Sequence, residues 1–506
     1  MDRESHPDAE SPSLKDYLRR RLTNEQLARP LIPSFSHWEF TTTTVGEIAA
    51  TFLEMNCSPS VALWGDATPV RDVSWTTSNR WSRLVRSASR EDRLRVALRE
   101  FGLPASDLID PPLSHWSPVA ELPEISSTNR SAIRELRYRG APVGRAILQV
   151  HPDDDTPITD EYLWPRRWVE SAICSYAWVF DQVHEVIRRR RVSCLVVFNG
   201  RFLHDAAAAA AAEDLEIPVL SYDFGGNDTD FDLTADETHD WSALQQRMLD
   251  LHRRCDVDFR ESVGREWFER RRKHEDPRNA KFVESQRPGN AVGLVSDGPL
   301  VVFFSSSGDE VSELELDWSE YFFGQPGAIS ALADVCSTIP GATLVVRTHP
   351  HLRHKPRRDV EEWHEAVAAA HPHLHIDEHS EVDSYSLMDQ ADVVVTYGST
   401  TGVEAAYAGK PVVVMGPSAY DELGCAVRVT DTEELRTSIA EARPGQRSGA
   451  LAYGLMMSRR GFRYQHTMKQ ADGTFCLAGV TLRDSHPLVL HVSDALRRRE
   501  LEKRCR

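Results

Sequence analysis

The chain of 506 residues carries 59 Lys and Arg against 77 Asp and Glu, which leaves a formal net charge of −18. Its length predicts two or more domains, because single hydrophobic cores rarely exceed ~300 residues. The acidic balance disfavours a nucleic-acid-binding protein, which needs a basic surface to bind phosphates. An anionic ligand would therefore need a local basic or dipolar site.

The cysteine pattern and the apolar runs indicate the compartment. The 8 cysteines include no C-x-x-C pair, which favours a reduced protein without a disulfide framework. The sequence shows no apolar signal-peptide core and no run of the ~20 apolar residues that cross a bilayer. We therefore expect a cytoplasmic protein, with any membrane contact limited to a peripheral one at the inner face of the cell membrane.

The first half of the chain alternates strand-like and helix-like segments. Unbroken apolar runs predict buried strands, and amphipathic or alanine-rich segments predict helices. The predicted strands are 60–64, 194–198 and 217–222, and the predicted helices are 81–89, 92–101, 162–190 and 204–214. A strand, a helix and a strand within ~30 residues form a βαβ unit, so this half should contain an open parallel sheet.

The second half repeats this alternation from residue 300 onwards. The predicted strands are 300–304, 343–347, 373–376, 392–396 and 411–415, and the predicted helices are 327–336, 360–370, 401–408 and 432–442. Such alternation is typical of a doubly wound sheet, which binds ligands at the carboxyl ends of its strands. The predicted fold class is therefore α/β of the GT-B type, with two Rossmann-like doubly wound domains facing a central cleft.

Composition predicts the domain boundaries. A polar stretch that contains Pro277 and Pro288 is typical of an interdomain linker. The predicted parts are a polar N-terminal segment 1–30, an acceptor-side Rossmann-like domain 31–275, a linker 276–298, a nucleotide-donor Rossmann-like domain 299–445 and a helical C-terminal segment 446–506. The arginines of residues 497–506 either contact a membrane surface or pack on the first domain.

The strongest local signal follows the predicted strand at 392–396. Gly398 permits a tight turn, and Ser399, Thr400 and Thr401 then stand at the start of the next helix. Free backbone N–H groups, the helix dipole and these hydroxyls favour a phosphate or diphosphate. Glu404, one turn further on, is predicted to accept hydrogen bonds from ribose hydroxyls. The alternative is that this stretch only forms a helix cap and capping box.

A second signal follows the predicted strand at 343–347. Pro350 prevents continuation of that strand, so His349 would project from the carboxyl edge of the sheet. There, as an imidazolium or a neutral N–H donor, His349 would complete the phosphate site and stabilise a departing nucleotide. The alternative is a surface histidine in the basic loop 351–358.

In the first half, polar residues follow two neighbouring strands. Asn199 and Arg201 follow the strand at 194–198, and Asp223 follows the strand at 217–222. Asp223 would accept the proton of an acceptor hydroxyl, and Arg201 would orient an acidic sugar or a phosphate. The alternative for Asp223 is turn chemistry, because Asp is frequent in turns near glycine.

Two further groups of residues are candidates for ligand or metal binding. Ser305 and Ser306 directly follow a strand and permit close approach of a ligand, with Asp309 and Glu310 as acceptors. An ordinary serine-rich loop explains them equally well. Four histidines have no carboxylate at a spacing that resembles a metal site, so no metal ion is predicted: His371, His373, His375 and His379.

The order of these motifs resembles that of bacterial capsule polysaccharide biosynthesis proteins, over about residues 130–465. The motifs are Tyr138-Arg-Gly-Ala-Pro-Val-Gly144, Asn199-Gly-Arg, Asp223-Phe-Gly, Ser305-Ser-Ser-x-Asp-Glu310, Trp318 with Gln325, Arg347-x-His-Pro350, Tyr397-Gly-Ser-Thr-Thr-Gly-x-Glu404 and Gly416-Pro-Ser-Ala-Tyr420. Such proteins are similar to GT-B glycosyltransferases, including Kdo transferases and polysialyltransferases that use CMP-sugars. They are also similar to glycerophosphotransferases that use CDP-glycerol.

The resemblance implies roles for individual residues. His349, Ser399 and Thr400 would contact the nucleotide phosphates, and we place in the same nucleotide site Ser305, Ser306, Arg347, Thr401 and Glu404. Acceptor or sugar binding is assigned to Asn199, Arg201 and Gln325. Asp223 would be the general base, although a glutamate is more usual at its position in the family.

The expected function is therefore transfer of a sugar from a nucleotide-activated donor to a capsular, surface or lipid-linked glycan. A CMP-sugar is the favoured donor and a UDP-sugar the second. No metal or other cofactor is expected, and the nucleotide sugar is a substrate. The alternatives are a CDP-polyol glycerophosphotransferase-like enzyme, a nucleotide-sugar 2-epimerase and a non-catalytic scaffold of polysaccharide assembly.

Overall fold

The computed structural model describes residues 13–35, 38–64, 91–111, 116–150, 156, 161–236, 240–306 and 322–482. The described residues form two compact units. The first comprises those of Met1–Asp153, Asp160–Thr238 and Arg460–Arg506, and the second comprises those of Asp154–Thr159 and His239–Arg459. The chain therefore leaves the first unit, forms the second, and returns.

The first unit is built on a seven-stranded sheet in the order β13-β6-β5-β4-β1-β2-β3. Its strands are β1 Pro30–Ser34, β2 Ser60–Leu63, β3 Leu108–Ile109, β4 Cys194–Phe198, β5 Val219–Phe224, β6 Asp230–Thr234 and β13 Phe462–Arg463. Strands β1 to β5 run parallel, whereas β6 and β13 pair antiparallel at one edge. The central pair β1 and β4 is the switch point at which the direction of strand order reverses.

Both faces of this sheet are covered. Successive strand residues point to opposite faces of the sheet, so alternate residues of β4 pack into two different hydrophobic cores. Leu195 and Val197 belong to one core, and Cys194 and Val196 belong to the other. The helices are α1 Leu14–Arg21, α2 Asn24–Leu27, α3 Glu39–Glu54, α4 at 91–100, α5 Arg130–Arg134, α6 Val143–Leu148, α7 Arg166–Arg190 and α8 Leu203–Glu213. The small alanines of α8 allow it to pack closely on α7.

The second unit contains a six-stranded sheet, entirely parallel, in the order β12-β11-β10-β7-β8-β9. Its strands are β7 Leu300–Phe304, β8 Thr343–Arg347, β9 Leu374–Ile376, β10 Val393–Thr396, β11 Val412–Val414 and β12 Val427–Arg428. The central strands β7, β8, β10 and β11 are mostly apolar because both faces are buried, as in other parallel sheets. Counted along the chain, the order is 3-2-1-4-5-6, the arrangement of a dinucleotide-binding Rossmann sheet.

Helices connect these strands. They are α9 Trp241–Arg254, α10 Val257–Arg272, α11 Ala280–Val283, α12 Gly324–Thr338, α13 Arg357–Ala370, α14 Ser384–Gln390, α15 Thr401–Tyr407, α16 Thr432–Ala440 and α17 Arg447–Arg459. The predicted α/β class with two Rossmann-like doubly wound sheets is confirmed. The arrangement of the two around a central cleft stays a prediction.

The division between the units differs from the predicted linker at 276–298. It falls near residue 238, because α9 and α10 belong to the second unit. Gln245 of α9 donates to the Asp421 carboxylate over 3.0 Å. Gly264 of α10 lies so close to α17 that a Cβ there would stand 2.6 Å from the Leu451 carbonyl oxygen. The segment 276–298 thus lies inside the second unit.

The predicted C-terminal helical segment is also different in the structure. Only α17 is helical among its described residues, and the chain then forms the strand β13 and a small antiparallel sheet of β14 Thr467–Lys469, β15 Phe475–Leu477 and β16 Val480–Thr481. The buried carboxylate of Glu47 on α3 accepts the backbone N–H groups of residues 465, 466 and 467 over 2.7–3.2 Å. These bonds fix the returning chain on the first unit.

Some predictions lie outside the described residues: the helix at 81–89, Asp309, Glu310, Trp318 and the arginines of 497–506. Within the part of the chain that the structure describes, no helix has the length and apolar character needed to cross a membrane.

Candidate active site

Three strand ends meet at the switch point of the second unit. Strands β7 and β10 are the pair at which the strand order reverses, and β8 flanks β7. Ser305, after β7, accepts a hydrogen bond from the His349 backbone N–H over 2.7 Å. Ser306 donates from Oγ to the Tyr397 carbonyl oxygen over 2.8 Å. The three predicted motifs are therefore linked directly by hydrogen bonds at the edge where Rossmann sheets bind ligands.

The loop after β10 is held in one conformation by its neighbours. Gly398 has φ 84°, a left-handed value that favours glycine. The Ser399 backbone N–H donates to Thr396 Oγ1 over 2.9 Å, and Tyr420 donates from Oη to the Ser399 carbonyl oxygen over 2.6 Å. Thr400 stands at the N-cap of α15 without a side-chain capping bond. Ser399 Oγ instead accepts the Thr401 backbone N–H over 3.4 Å, so Ser399 caps this turn, Thr400 forms no capping box, and Thr400 is exposed.

Gly416 and Tyr420, from the motif after β11, support this loop. A Cβ at Gly416 would lie 2.8 Å from the Tyr397 ring, and a Cβ at Gly402 would lie 2.2 Å from Tyr420 Oη. Only glycine permits such close packing at these two points. Ser399 Oγ lies 3.3 Å from Thr401 Oγ1, so the hydroxyls of the loop form one group.

The hydrogen bonds of His349 select one tautomer of its neutral ring. Its Nδ1 accepts the backbone N–H of His351 over 3.2 Å, which makes His349 the N-cap of the 3-10 turn Pro350–His354. An Nδ1 that accepts a hydrogen bond carries no hydrogen, so in the neutral ring the hydrogen is on Nε2. His349 therefore presents a donor N–H at Nε2. Such a donor suits a phosphate oxygen.

Phe282 of α11 also contacts this histidine. Its ring centroid lies 5.3 Å from that of His349 and 5.7 Å from that of His351. Arg353 joins the same segments by donating from Nη2 to the Lys281 carbonyl oxygen over 3.1 Å. Phe282 could not be recognised from the sequence, because its polar, proline-interrupted surroundings are typical of a linker.

Gln325 and Arg347 bind the backbone near the site. The side-chain amide of Gln325 accepts the Ser306 N–H over 2.6 Å and donates to the Ser306 carbonyl oxygen, so it fixes the Ser306 peptide. The guanidinium of Arg347 is buried and donates to the carbonyl oxygens of Asp377 and Ser380. Burial lowers the pKa of Arg347 to about 10. A phosphate contact of Arg347 stays a prediction; its hydrogen bonds hold the loop after β9.

Glu404 is engaged inside the second unit. Arg271 of α10 donates from Nε to Glu404 Oε1 over 2.7 Å, and both side chains are buried. Tyr385 also hydrogen-bonds Glu404; burial first, and then the charge of Glu404, raise the pKa of Tyr385. These partners anchor α15 to α10 and α14. The predicted ribose contact of Glu404 remains untested by this arrangement.

The first unit brings Asn199, Arg201 and Asp223 together at the carboxyl ends of β4 and β5. Asn199 has φ 55° and donates from Nδ2 to Asp223 Oδ2 over 2.7 Å. Arg201 donates from Nε to Asn199 Oδ1 over 2.8 Å. Asp223 lies within β5 rather than in a turn, and Phe224 N–H donates to its Oδ1 over 2.7 Å. Asn199 thus aligns the carboxylate and the guanidinium.

Burial raises the pKa of Asp223, and the positive charge of Arg460 is the largest opposing influence. A carboxylate with a raised pKa is a better base than an ordinary one. Asp232 lies directly opposite Asp223 across the β5–β6 pair and binds Arg460 Nε over 2.6 Å. Asp232 and Arg460 could not be recognised from the sequence, because no local spacing joins residues so far apart in the chain.

A different motif is structural. Tyr138 donates from Oη to the buried carboxylate of Asp181 over 2.9–3.0 Å. Burial, with Asp181 as the next cause, raises the pKa of Tyr138 to about 12. A Cβ at Gly144 would stand 1.7 Å from the Ile133 carbonyl oxygen. The Tyr138-to-Gly144 motif therefore packs the helices α5, α6 and α7.

Comparison with known proteins gives a family match for part of the second unit. Residues 326–460 match the family model of capsule polysaccharide biosynthesis proteins. The matched stretch includes His349 and Ser399. The resemblance predicted from the motifs is confirmed there. No curated protein matches the sequence significantly.

Solved structures show weaker likenesses. The KpsC β-Kdo 2,7-transferase of Thermosulfurimonas dismutans is 16% identical, with a TM-score of 0.35 over 59% of this chain and 86% of that chain. The UDP-GlcNAc 2-epimerase of Neisseria meningitidis, bound to UDP-GlcNAc, is 12% identical, with a TM-score of 0.27 over 85% of this chain and 96% of that chain. The fold of this chain follows from its own sheet topology.

Proposed function

We propose that this protein is a glycosyltransferase that moves a sugar from a nucleotide donor to a capsular, surface or lipid-linked glycan. A CMP-sugar is the favoured donor and a UDP-sugar the second. The observation that carries the proposal is the 3-2-1-4-5-6 parallel sheet with Ser306, His349 and Ser399 gathered by hydrogen bonds around its switch point. Sheets of this order bind nucleotides at that point.

The chemistry divides between the two units. An acceptor oxygen attacks the anomeric carbon, a new C–O bond forms, and the bond from that carbon to the phosphate oxygen breaks. Asp223 accepts the proton of the acceptor hydroxyl. The Nε2–H of His349 and the hydroxyls of Ser399 and Thr400 donate to the departing phosphate. These donors supply the stabilisation that a metal ion gives in other transferases, so turnover should persist in a chelator.

The first experiment is calorimetric titration with CMP, UDP and CDP. Binding of CMP in preference to the others supports the CMP-sugar donor. Preference for CDP would indicate a polyol-phosphate transferase instead. Absence of binding by all three would overturn every enzymatic proposal and leave the scaffold.

The second experiment replaces His349 by alanine. Loss of a donor to the leaving group should lower turnover at least ~100-fold at saturating donor. The matched control is His371→Ala, because His371 is the exposed C-cap residue of α13 in the second unit and carries none of the proposed roles. Turnover of His349→Ala equal to that of the wild type would refute the role of His349.

We also place the protein at the cytoplasmic side of the membrane, where nucleotide sugars are found. Fractionation of cells that express the full chain tests this placement. Recovery in the soluble fraction, or release from membranes by salt, is the expected result.

A further inference from the structure

An aromatic cluster lies at the carboxyl edge of the sheet in the first unit. Phe198, the last residue of β4, is buried and forms its centre. Five ring centroids lie 5.5–6.3 Å from that of Phe198: Trp38, Phe40, Phe202, Tyr222 and Phe224. The Asn199–Asp223 pair borders this cluster, because Asn199 and Asp223 are the chain neighbours of Phe198 and Phe224.

Two of these rings form an exposed stack. The Phe40 and Phe224 centroids lie 4.1 Å apart with an interplanar angle of 24°. Phe224 is 48% exposed. Large aromatic side chains are normally well buried, and exposed apolar patches next to polar groups mark binding sites. The chemistry of this surface therefore calls for a ligand with an apolar face.

The polar groups beside the cluster identify the ligand class. The amide of Asn199 and the carboxylate of Asp223 provide hydrogen-bonding groups, and the Arg201 guanidinium lies 5.3 Å from the Phe202 ring centroid. A sugar ring has one face of C–H groups, which are attracted to the negative face of an aromatic ring. A neighbouring ring of the same glycan offers hydroxyls to the amide and the carboxylate, which also bind each other. A lipid tail offers them no hydrogen-bonding group.

We propose that Phe224 and Phe40 bind a sugar ring of the acceptor glycan, next to the ring that reacts at Asp223. Successive residues of β5 point to opposite faces of the sheet, so the Phe224 ring and the Asp223 carboxylate cannot both contact the same face of one sugar ring. An acceptor of two or more sugars lies across the sheet edge, with one ring on the aromatic stack and the next at Asp223. The proposal rests on the proposed function and adds the acceptor subsite.

The test is saturation-transfer difference NMR of the full chain with three disaccharides: lactose, N,N′-diacetylchitobiose and the hyaluronan disaccharide. At least one should receive saturation, strongest on the C–H groups of one ring face. Phe224→Leu, which keeps an apolar side chain but removes the ring, should weaken the binding about three- to tenfold. Phe224→Tyr, which keeps the ring, should bind like the wild type. Leu163→Ala, which changes another exposed apolar residue of the first unit, should have no effect.

The outcomes separate this proposal from the proposed function. Nucleotide binding should be equal in the wild type and in Phe224→Leu. Weaker CMP binding in Phe224→Leu would mean that the stack holds the nucleobase, which would overturn the proposal. Failure of all three disaccharides with the wild type, or full binding by Phe224→Leu, would also overturn it while leaving the nucleotide result intact. If Phe224→Leu does not fold, Phe40→Leu gives the same comparison from the other ring of the stack.

Discussion

Replacement of Gly402 by alanine tests whether Tyr420 holds the loop after β10. The added Cβ would stand 2.2 Å from Tyr420 Oη and 2.8 Å from Thr396 Cγ2, far inside van der Waals contact. Tyr420 is buried, so its ring must shift within the core and its hydroxyl must leave the Ser399 carbonyl oxygen. Overpacking costs about 1–3 kcal/mol and the lost hydrogen bond about 1 kcal/mol. We expect a loss of about 2–4 kcal/mol in the free energy of unfolding.

Urea unfolding at equilibrium measures this loss, and calorimetry with CMP measures the effect on the site. Gly293→Ala is the control, because a Cβ at Gly293 meets nothing within 4 Å. In Tyr420→Phe the nearest clashing atom is absent, so the double variant should be less destabilised than the sum of the two single variants. A coupling of at least ~0.5 kcal/mol is expected for groups in such contact. Strict additivity, or wild-type stability of Gly402→Ala, would refute the reasoning.

Three further predictions concern buried carboxyl groups. Asp223→Asn should lower turnover ~100-fold or more without loss of stability at pH 7. Burial raises the pKa of Asp223, so the charged carboxylate is unfavourable in the folded state at that pH and its removal should not destabilise the fold. A lower urea midpoint of the variant would contradict this. Burial raises the pKa of Asp205 to about 8, so the free energy of unfolding of the wild type should fall as the pH rises from about 4 to 8. Asp205→Asn keeps an acceptor for the Phe198 N–H but has no proton to lose, so it should lack that part of the fall. Equal pH profiles of the two proteins would exclude a protonated Asp205. Glu47→Gln removes one of the two oxygens that accept three backbone N–H groups. It should lower the free energy of unfolding by about 2–4 kcal/mol. An unchanged urea midpoint would show that these bonds are dispensable.

The strands of both units could be predicted wherever apolar runs are unbroken. The run at 194–198 and the run at 343–347 coincide with β4 and β8, because strands buried on both faces have a continuous apolar centre. The strands β13 to β16 were not predicted, since each has only two or three residues. A pattern with a period of two cannot be recognised over such lengths.

The candidate sites were predictable in part for the same reason. Residues that directly follow a strand, such as Ser306, His349 and Ser399, can be placed at a sheet edge from the sequence. Residues that reach the edge from elsewhere cannot. Arg460 binds Asp232 only because the chain returns to the first unit, and Phe282 reaches His349 from a segment whose composition is typical of a linker.

The return of the chain also bears on how the protein is made. The second unit is almost entirely one continuous stretch, whereas the first takes β13 and the amides bound by Glu47 from residues beyond 459. A ribosome therefore releases the whole of the second unit before the first can be completed, so the N-terminal unit cannot finish folding first. A nick or a stop codon shortly before residue 460 would damage the unit that begins the chain and spare the one next to the cut.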